Sequence, residues 1–421
     1  MKHIVAKIGL ILTLSSFAYA VDMEFSGFGT LGGAMSNKDY TYLRYIDNDG
    51  TFNKDSLVGV QTDIIFTPQL SATVQGKFAP SKENDSKWDP SLTWAFLSYR
   101  PTNDWLIRVG KVRIPLYLNS QNMDVGVTYD AIRLPNEVYS LSPEDNALGI
   151  IVTKSFELES GELSADAFYG KVNTPYRVYL RDDMSAYSTL GGRPQGANFS
   201  DLKLDLMGLA LLYETDEGNR FRVGLYKSIL DNNYGGNFAL QPSITPPLSL
   251  FYPLPYYQPV LPFNKTDIIA FTLGMDYRCD EGYRITSEYA MRKMLDADTG
   301  PNSQSAYVTL SKNIEKWTPY ITLSGTKTSN NVKNLYAALN ADPVNNILPA
   351  NRQFADYIIG SEQKSVALGI SYSLSPTQKL KAEWARSHIG SMSNFLIDTP
   401  SIEPITHETI NVFSLSYSMS F

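Results

Sequence analysis

The chain of 421 residues holds a single cysteine, Cys279, so no intramolecular disulfide can form. A lone thiol beside a turn also offers no metal-ligand spacing. Histidine is nearly as scarce: after His3 only His388 and His407 occur, both expected in or near the final external loop. A hydrolase built on a Ser or Asp nucleophile with a histidine base has little to work with here. No Gly-rich phosphate loop is present, and no cofactor or metal is implied. Beyond the N-terminus there is no apolar run of 18 residues, which excludes transmembrane helices. The formal net charge of −7 argues against nucleic acid as a partner.

What is present is alternation. The last stretch places Phe413, Leu415, Tyr417, Met419 and Phe421 on one face and Ser414, Ser416, Ser418 and Ser420 on the other. Successive strand side chains point to opposite faces, so this strand has one apolar and one wetted side. A final strand of this kind closes a transmembrane β-barrel, apolar side to lipid and small polar side to the lumen.

At the other end, Lys2 and Lys7, the apolar core Ile8–Phe17 and Ala18-Tyr19-Ala20 read as an export signal, 1–20, removed before folding. Residues 21–421 show no linker or composition shift, and one large barrel accommodates them. Val21 leads almost directly into the first strand, an expectation against an N-terminal plug.

About sixteen strand-length stretches follow. They begin near Glu24–Met35, Asp55–Phe66 and Gln69–Phe78, then a pair flanks Arg100–Asn103. In that pair Leu92, Trp94 and Phe96 are expected outward, as are Trp105, Ile107 and Val109, with Arg108 inward. Later stretches lie near Asn146–Phe156, Glu162–Gly170, Leu204–Tyr213, Arg220–Tyr226, Ile269–Arg278 and Tyr283–Met291. Two pairs then flank Glu315-Lys316 and Ser375–Thr377, ahead of the terminal strand. Connections alternate: short turns such as Thr67-Pro68, Asp280–Gly282 and Ser375–Thr377, then long ones such as Lys227–Thr266 and Lys327–Gln363. Short periplasmic turns opposite long external loops mark an outer-membrane barrel. The fold expected is all-β, a transmembrane 16-stranded antiparallel β-barrel with an inward-folding third loop. Aromatics near the strand ends, among them Trp94, Trp105, Tyr277, Tyr283, Trp317 and Tyr320, are expected in interfacial girdles.

One connection is chemically distinct. Residues 113–145 carry Leu116, Leu118, Met123, Val125, Val127, Ile132, Leu134 and Val138, too many apolar side chains for a fully solvated loop. Asp124, Asp130 and Glu137 lie among them with Arg133 between. Leu106–Leu118, continuing through Met123–Val127 and Arg133–Tyr139, resembles the fifth-strand and third-loop region of Gram-negative outer-membrane porins. That resemblance implies a trimer whose third loop narrows the channel, acidic loop residues facing a basic patch on the wall. Matched by type, Asp124, Asp130 and Glu137 would supply the acidic side, and Lys77, Arg108 and Arg113 the wall, although the family's short acidic loop-tip motif is not present as such. Opposed charges across a wet neck set up a transverse field that favours polar solutes. The same charges could instead form salt bridges that pin the loop.

The expected partners are the lipid bilayer of the outer membrane, small hydrophilic solutes and further copies of the chain in a homotrimer. Passive diffusion of small hydrophilic solutes and ions is the expected function. A substrate-specific channel, or a surface barrel that binds partners through its long loops, stands as the alternative. The tract Pro253–Pro259 would cap the mouth or line a path for sugars or hydrophobes.

Overall fold

The computed structural model describes residues 22–142, 144–183, 193–231, 240–243, 256–259, 265–295, 300–341, 355–397 and 403–421. The expected export signal, 1–20, lies outside them. Sixteen strands form one closed antiparallel meander. They are β1 Asp22–Ser36, β2 Leu57–Thr67, β3 Leu70–Pro80, β4 Trp88–Tyr99, β5 Trp105–Arg113, β6 Asn146–Leu158, β7 Gly161–Leu180 and β8 Gly196–Thr215. The second half comprises β9 Arg220–Asp231, β10 Lys265–Arg278, β11 Tyr283–Met294, β12 Ser303–Lys312, β13 Trp317–Thr328, β14 Ser361–Ser375, β15 Gln378–Ser393 and β16 Thr409–Ser420. Closure is made by β1 against β16, with Phe28 opposite Ser420 and Ser36 opposite Val412. Phe421 exchanges two backbone hydrogen bonds of 2.9 Å with Gly27, so the ladder runs to the last residue. A closed sheet leaves no strand edge unpaired, which a lipid-embedded backbone requires.

The alternation of β16 holds. Phe413 and Leu415 are 55% and 67% exposed, whereas Ser414, Ser416 and Ser418 are buried. The same parity runs round the barrel: Val60, Leu97, Val109, Leu209, Leu225, Leu273 and Leu323 face outward from seven different strands. An apolar outer belt of this extent on a closed barrel is a lipid-facing surface. Tyr99, Trp105, Tyr277, Tyr283 and Trp317 are exposed beside the short turns, where amphipathic rings suit the membrane boundary.

Three expectations are corrected. Trp94 and Phe96 face inward, not outward. The β3–β4 register slips between Gln75 and Gly76, which oppose Trp94 and Leu92, so Thr93 is an extra residue that reverses the parity of the strand beyond it. Tyr320 is also inward, its hydroxyl donating to Glu383 at 2.7 Å, and is no girdle residue. His388 lies within β15 rather than in the loop, exposed and 3.2 Å from the Thr409 hydroxyl.

The external side carries more structure than alternation predicts. β7 and β8 pair over their full 20 residues, well past the stretches expected from apolar patterning. The long connection after β13 contains an α-helix, α1, Asn330–Asn340, whose Val332 and Leu339 pack on Ala355, Ile358 and Met392. Tyr40, Tyr42, Leu43 and Ile46 of the first connection pack against Ile389, Ile410 and Val412. Part of Pro253–Pro259 lies outside the described residues; Tyr256–Pro259 pairs with Leu240–Ser243 as a small separate hairpin.

Candidate functional site

Residues 114–145 leave β5 at Arg113 and return to β6 at Asn146. Their apolar side chains pack against the inner wall. Ile114, Leu116, Tyr117, Val138 and Tyr139 form one cluster with inward Phe168, Val172, Leu206, Tyr226, Met294 and Tyr307. This explains why a connection at a channel mouth is so apolar: β7 to β12 present apolar side chains inward to receive it.

Polar anchors hold the rest. Asp124 accepts from Lys77 Nζ at 2.7 Å and from Arg113 Nη2 at 2.6 Å. Arg113 also donates to the Ser120 carbonyl, and its guanidinium stands over the inward ring of Trp94. Gly126 lies against the facing seam of β1 and β16: a Cβ there would come within 2.6 Å of the Thr30 hydroxyl and 2.5 Å of the Ser418 hydroxyl. Glycine permits this close backbone approach. Asp130 accepts from Ser371 Oγ and Lys379 Nζ, each at 2.8 Å. Arg133 grips Asp55 through two bonds of 2.9 and 2.6 Å and reaches Ser414 at 2.8 Å. Glu137 is buried and accepts from Gln363 at 2.6 Å and from Ser365.

The wall residues in this set belong to β1, β3, β4, β5, β14, β15 and β16, with Asp55 just before β2, while the apolar cluster draws mainly on β6 to β12. On β14, Ser371 lies near the short-turn end and Ser365 nearer the external end, about 20 Å apart along the strand. The segment therefore descends to Asp130 and climbs again to Glu137.

The seven residues expected at a neck are thus not one cluster. Lys77, Arg113 and Asp124 meet at one place. Asp130, Arg133 and Glu137 each engage a separate partner, and none of these three faces the expected basic patch. Arg108 is inward as expected, its guanidinium 5.9 Å from the Phe96 ring centroid, with no ion pair among the described residues. Asp124, Asp130 and Glu137 are each tied to the wall by hydrogen bonds or ion pairs.

Burial works to raise the Asp124 carboxyl, but Lys77 and Arg113 overcome it and hold the group well below the usual carboxylate range. For Asp130 the same contest, burial against Lys379, also ends below the ordinary value. Asp145 is the opposite case: burial pushes it up to about 6, and its Oδ1 has no hydrogen-bond partner among the described residues. Its neighbour Glu144 is brought down to about 2, burial being outweighed by Lys82 and Asn146.

No protein-family model matches this sequence, and no curated protein matches it by sequence. Solved structures do match along nearly the whole length. In-vitro folded OmpT, an outer membrane protein of Vibrio cholerae, is 13% identical with a TM-score of 0.54, covering 96% of this chain and 99% of its own. The anion-selective porin from Comamonas acidovorans is 11% identical with a TM-score of 0.53, covering 95% and 100%. Pseudomonas putida OprB in its high-pH structure is 9% identical with a TM-score of 0.50, covering 95% and 94%. The chain has the porin fold.

Within this porin-fold barrel several anchors carry no local sequence signal. Glu288 accepts from the Tyr139 hydroxyl, from Tyr307 at 2.8 Å and from the Leu118 amide at 2.8 Å. Wall cations serve loop carbonyls: Lys381 donates to Gly126 and Ala131 at 2.6 and 2.7 Å, Arg222 to Pro115 and Arg292 to Leu141. Alternation marks each of these cations as inward, but only the tertiary structure shows that they are committed to backbone oxygens. Asp55 and Lys379 stand at strand ends, where charged residues are usually solvated, and nothing in the sequence pairs them with the loop. Among the described residues no group of His, Cys, Asp and Glu is placed to hold a metal ion.

Proposed function

We propose that this protein is an outer-membrane porin, exported on a cleaved signal at 1–20, through which small hydrophilic solutes and ions diffuse passively. The observation that carries the reading is a closed barrel with an apolar outer belt and a mixed polar inner wall against which residues 114–145 are anchored from several sides. A lipid-facing exterior around a lined interior is a channel architecture, and the segment would be its constriction. No catalysis, energy coupling or cofactor is part of this reading. Assembly as a homotrimer is part of it, supported by the resemblance to porins alone.

The test is single-channel recording of the refolded protein in a planar bilayer under a salt gradient. Stable conductance steps in groups of three, with a trimer in cross-linking, are the expected result. Folded, inserted barrels that pass no current would overturn the channel reading and leave surface binding through the external loops as the function. A substrate-specific channel is favoured by one observation, an apolar cavity on the external side of the segment.

A further inference from the structure

In a water-filled barrel the inward positions are polar. Here the external third of the inner wall from β8 to β11 is not. Leu204 and Leu206 of β8, Leu230 of β9, Ile268 of β10 and Met294 of β11 all point inward. The 114–145 segment covers part of this wall with Leu116, Tyr117 and Leu141, and a cavity of about 450 Å³ remains between them. That volume suits a small organic molecule. It lies on the external side of the segment, so a solute entering from outside meets it first.

The cavity is not uniformly apolar. Arg292 of β11 lines it, donating to the Pro301 carbonyl at 3.2 Å and to the Leu141 carbonyl. Both acceptors are neutral, and among the described residues Arg292 has no carboxylate partner. Its remaining amino group, Nη2, makes no hydrogen bond there. The hydroxyls of Tyr117 and Tyr176, both cavity-lining, likewise have no partner among the described residues. Glu144 at the rim is occupied by Lys82 at 2.6 Å and Asn146 at 2.8 Å. Of the two guanidiniums on the lining, Arg177 is engaged by Asp85 at 2.6 Å, which leaves Arg292 with spare donors at the edge of a leucine-lined hollow, complementary to an apolar body bearing a single anionic group. A guanidinium in low-dielectric surroundings binds a carboxylate strongly and with fixed geometry.

We propose that this cavity is a binding subsite for small amphipathic carboxylates, the apolar body against Leu204, Leu206 and Leu230 and the carboxylate on Arg292. This rests on the channel reading and narrows it. The pore would hold such acids above its neck before passing them.

The experiment uses the full chain in proteoliposomes and planar bilayers, with 4-phenylbutyrate, its neutral amide and acetate as probes. Expected are interruptions of the current by phenylbutyrate and saturable binding of the labelled acid to proteoliposomes. The amide and acetate should each be weaker by about tenfold or more, each lacking one of the two interactions. Arg292→Gln should erase the preference of acid over amide, while Arg292→Lys should restore part of it. Leu206→Gln should weaken acid and amide alike. Equal binding of acetate, equal binding of the amide, or an acid-to-amide ratio unchanged in Arg292→Gln would overturn the proposal. So would normal conductance with no phenylbutyrate binding, which leaves the porin reading intact. Binding without any conductance would instead remove the porin reading and keep the site.

Discussion

Arg133 of the inner segment and Asp55, just before β2, form a two-pronged ion pair with bonds of 2.9 and 2.6 Å. Burial works to lower the Arg133 guanidinium, but Asp55 and Glu383 raise it above its ordinary value, so the charge is permanent. The pair ties the segment to the first connection across the sheet from β5. Arg133→Gln leaves Asp55, only 4% exposed, without its counter-charge. Breaking a buried pair costs about 3–5 kcal/mol. The expected outcome is a lower unfolding temperature in heat-modifiability assays and a noisier, larger single-channel current.

Asp124 is held between Lys77 and Arg113 with its pKa depressed. A depressed carboxyl contributes stability that is present above its unfolded value of 3.8 and is lost as pH falls through the folded value. Conductance noise should therefore stay constant from pH 7 to about pH 4 and rise only in stronger acid. Asp124→Asn should show the acid behaviour at neutral pH. A variant as quiet as the parent at pH 7 would remove the pinning role.

Asp145 titrates with the opposite sign. Its raised folded value, about 6 against 3.8, means the folded state binds a proton that the unfolded state has lost. Stability should fall as pH rises from 3.8 to 6 and then level off. The contribution of Glu144, depressed from 4.5 to about 2, is lost only below 4.5, so the difference between the parent and Asp145→Asn in the window between 4.5 and 6 reports Asp145. Asp145→Asn should make the slope in that window shallower and raise the unfolding temperature at pH 7 by roughly 2–4 °C. An unchanged slope refutes the assignment.

Gly126 fits between the hydroxyls of Thr30 and Ser418, which are 3.0 Å apart. Gly126→Val should force the segment off the β1–β16 seam and alter conductance markedly, with Gly126→Ala milder. Ser418→Gly should partly restore the Ala variant. Absence of any rescue would show that the contact does not set the position of the segment.

Of the four cations expected at the neck, Arg108 is the one with no ion pair among the described residues. Arg108→Gln should move the reversal potential under a salt gradient toward cation preference, with little change in unfolding temperature. A reversal potential equal to that of the parent would show that its charge does not act on the permeating ions.

Much of this protein is decided by local alternation. Period-two patterning places Val60, Leu225, Leu273 and Leu415 in lipid, and Lys77, Arg108, Arg284 and Lys381 inside. Turn spacing accounts for the strand number and for the long connection at 113–145. These features are legible because parity and turn chemistry act between neighbours in the chain. Where a single extra residue intervenes, as Thr93 does, the inference reverses, and Trp94 and Phe96 point into the barrel. The partners across the lumen are a different matter. Asp55 with Arg133, Lys379 with Asp130, Glu288 with Tyr139 and Gly126 against Ser418 join residues far apart in the chain. Only closure of the barrel brings them together, through curvature and strand register that no short stretch encodes. The sequence by itself determined a sixteen-stranded antiparallel barrel with a long, charged third connection. The tertiary structure alone decided which wall partners those charges meet and that an apolar hollow remains beside Arg292, because both depend on which side chains meet across the interior.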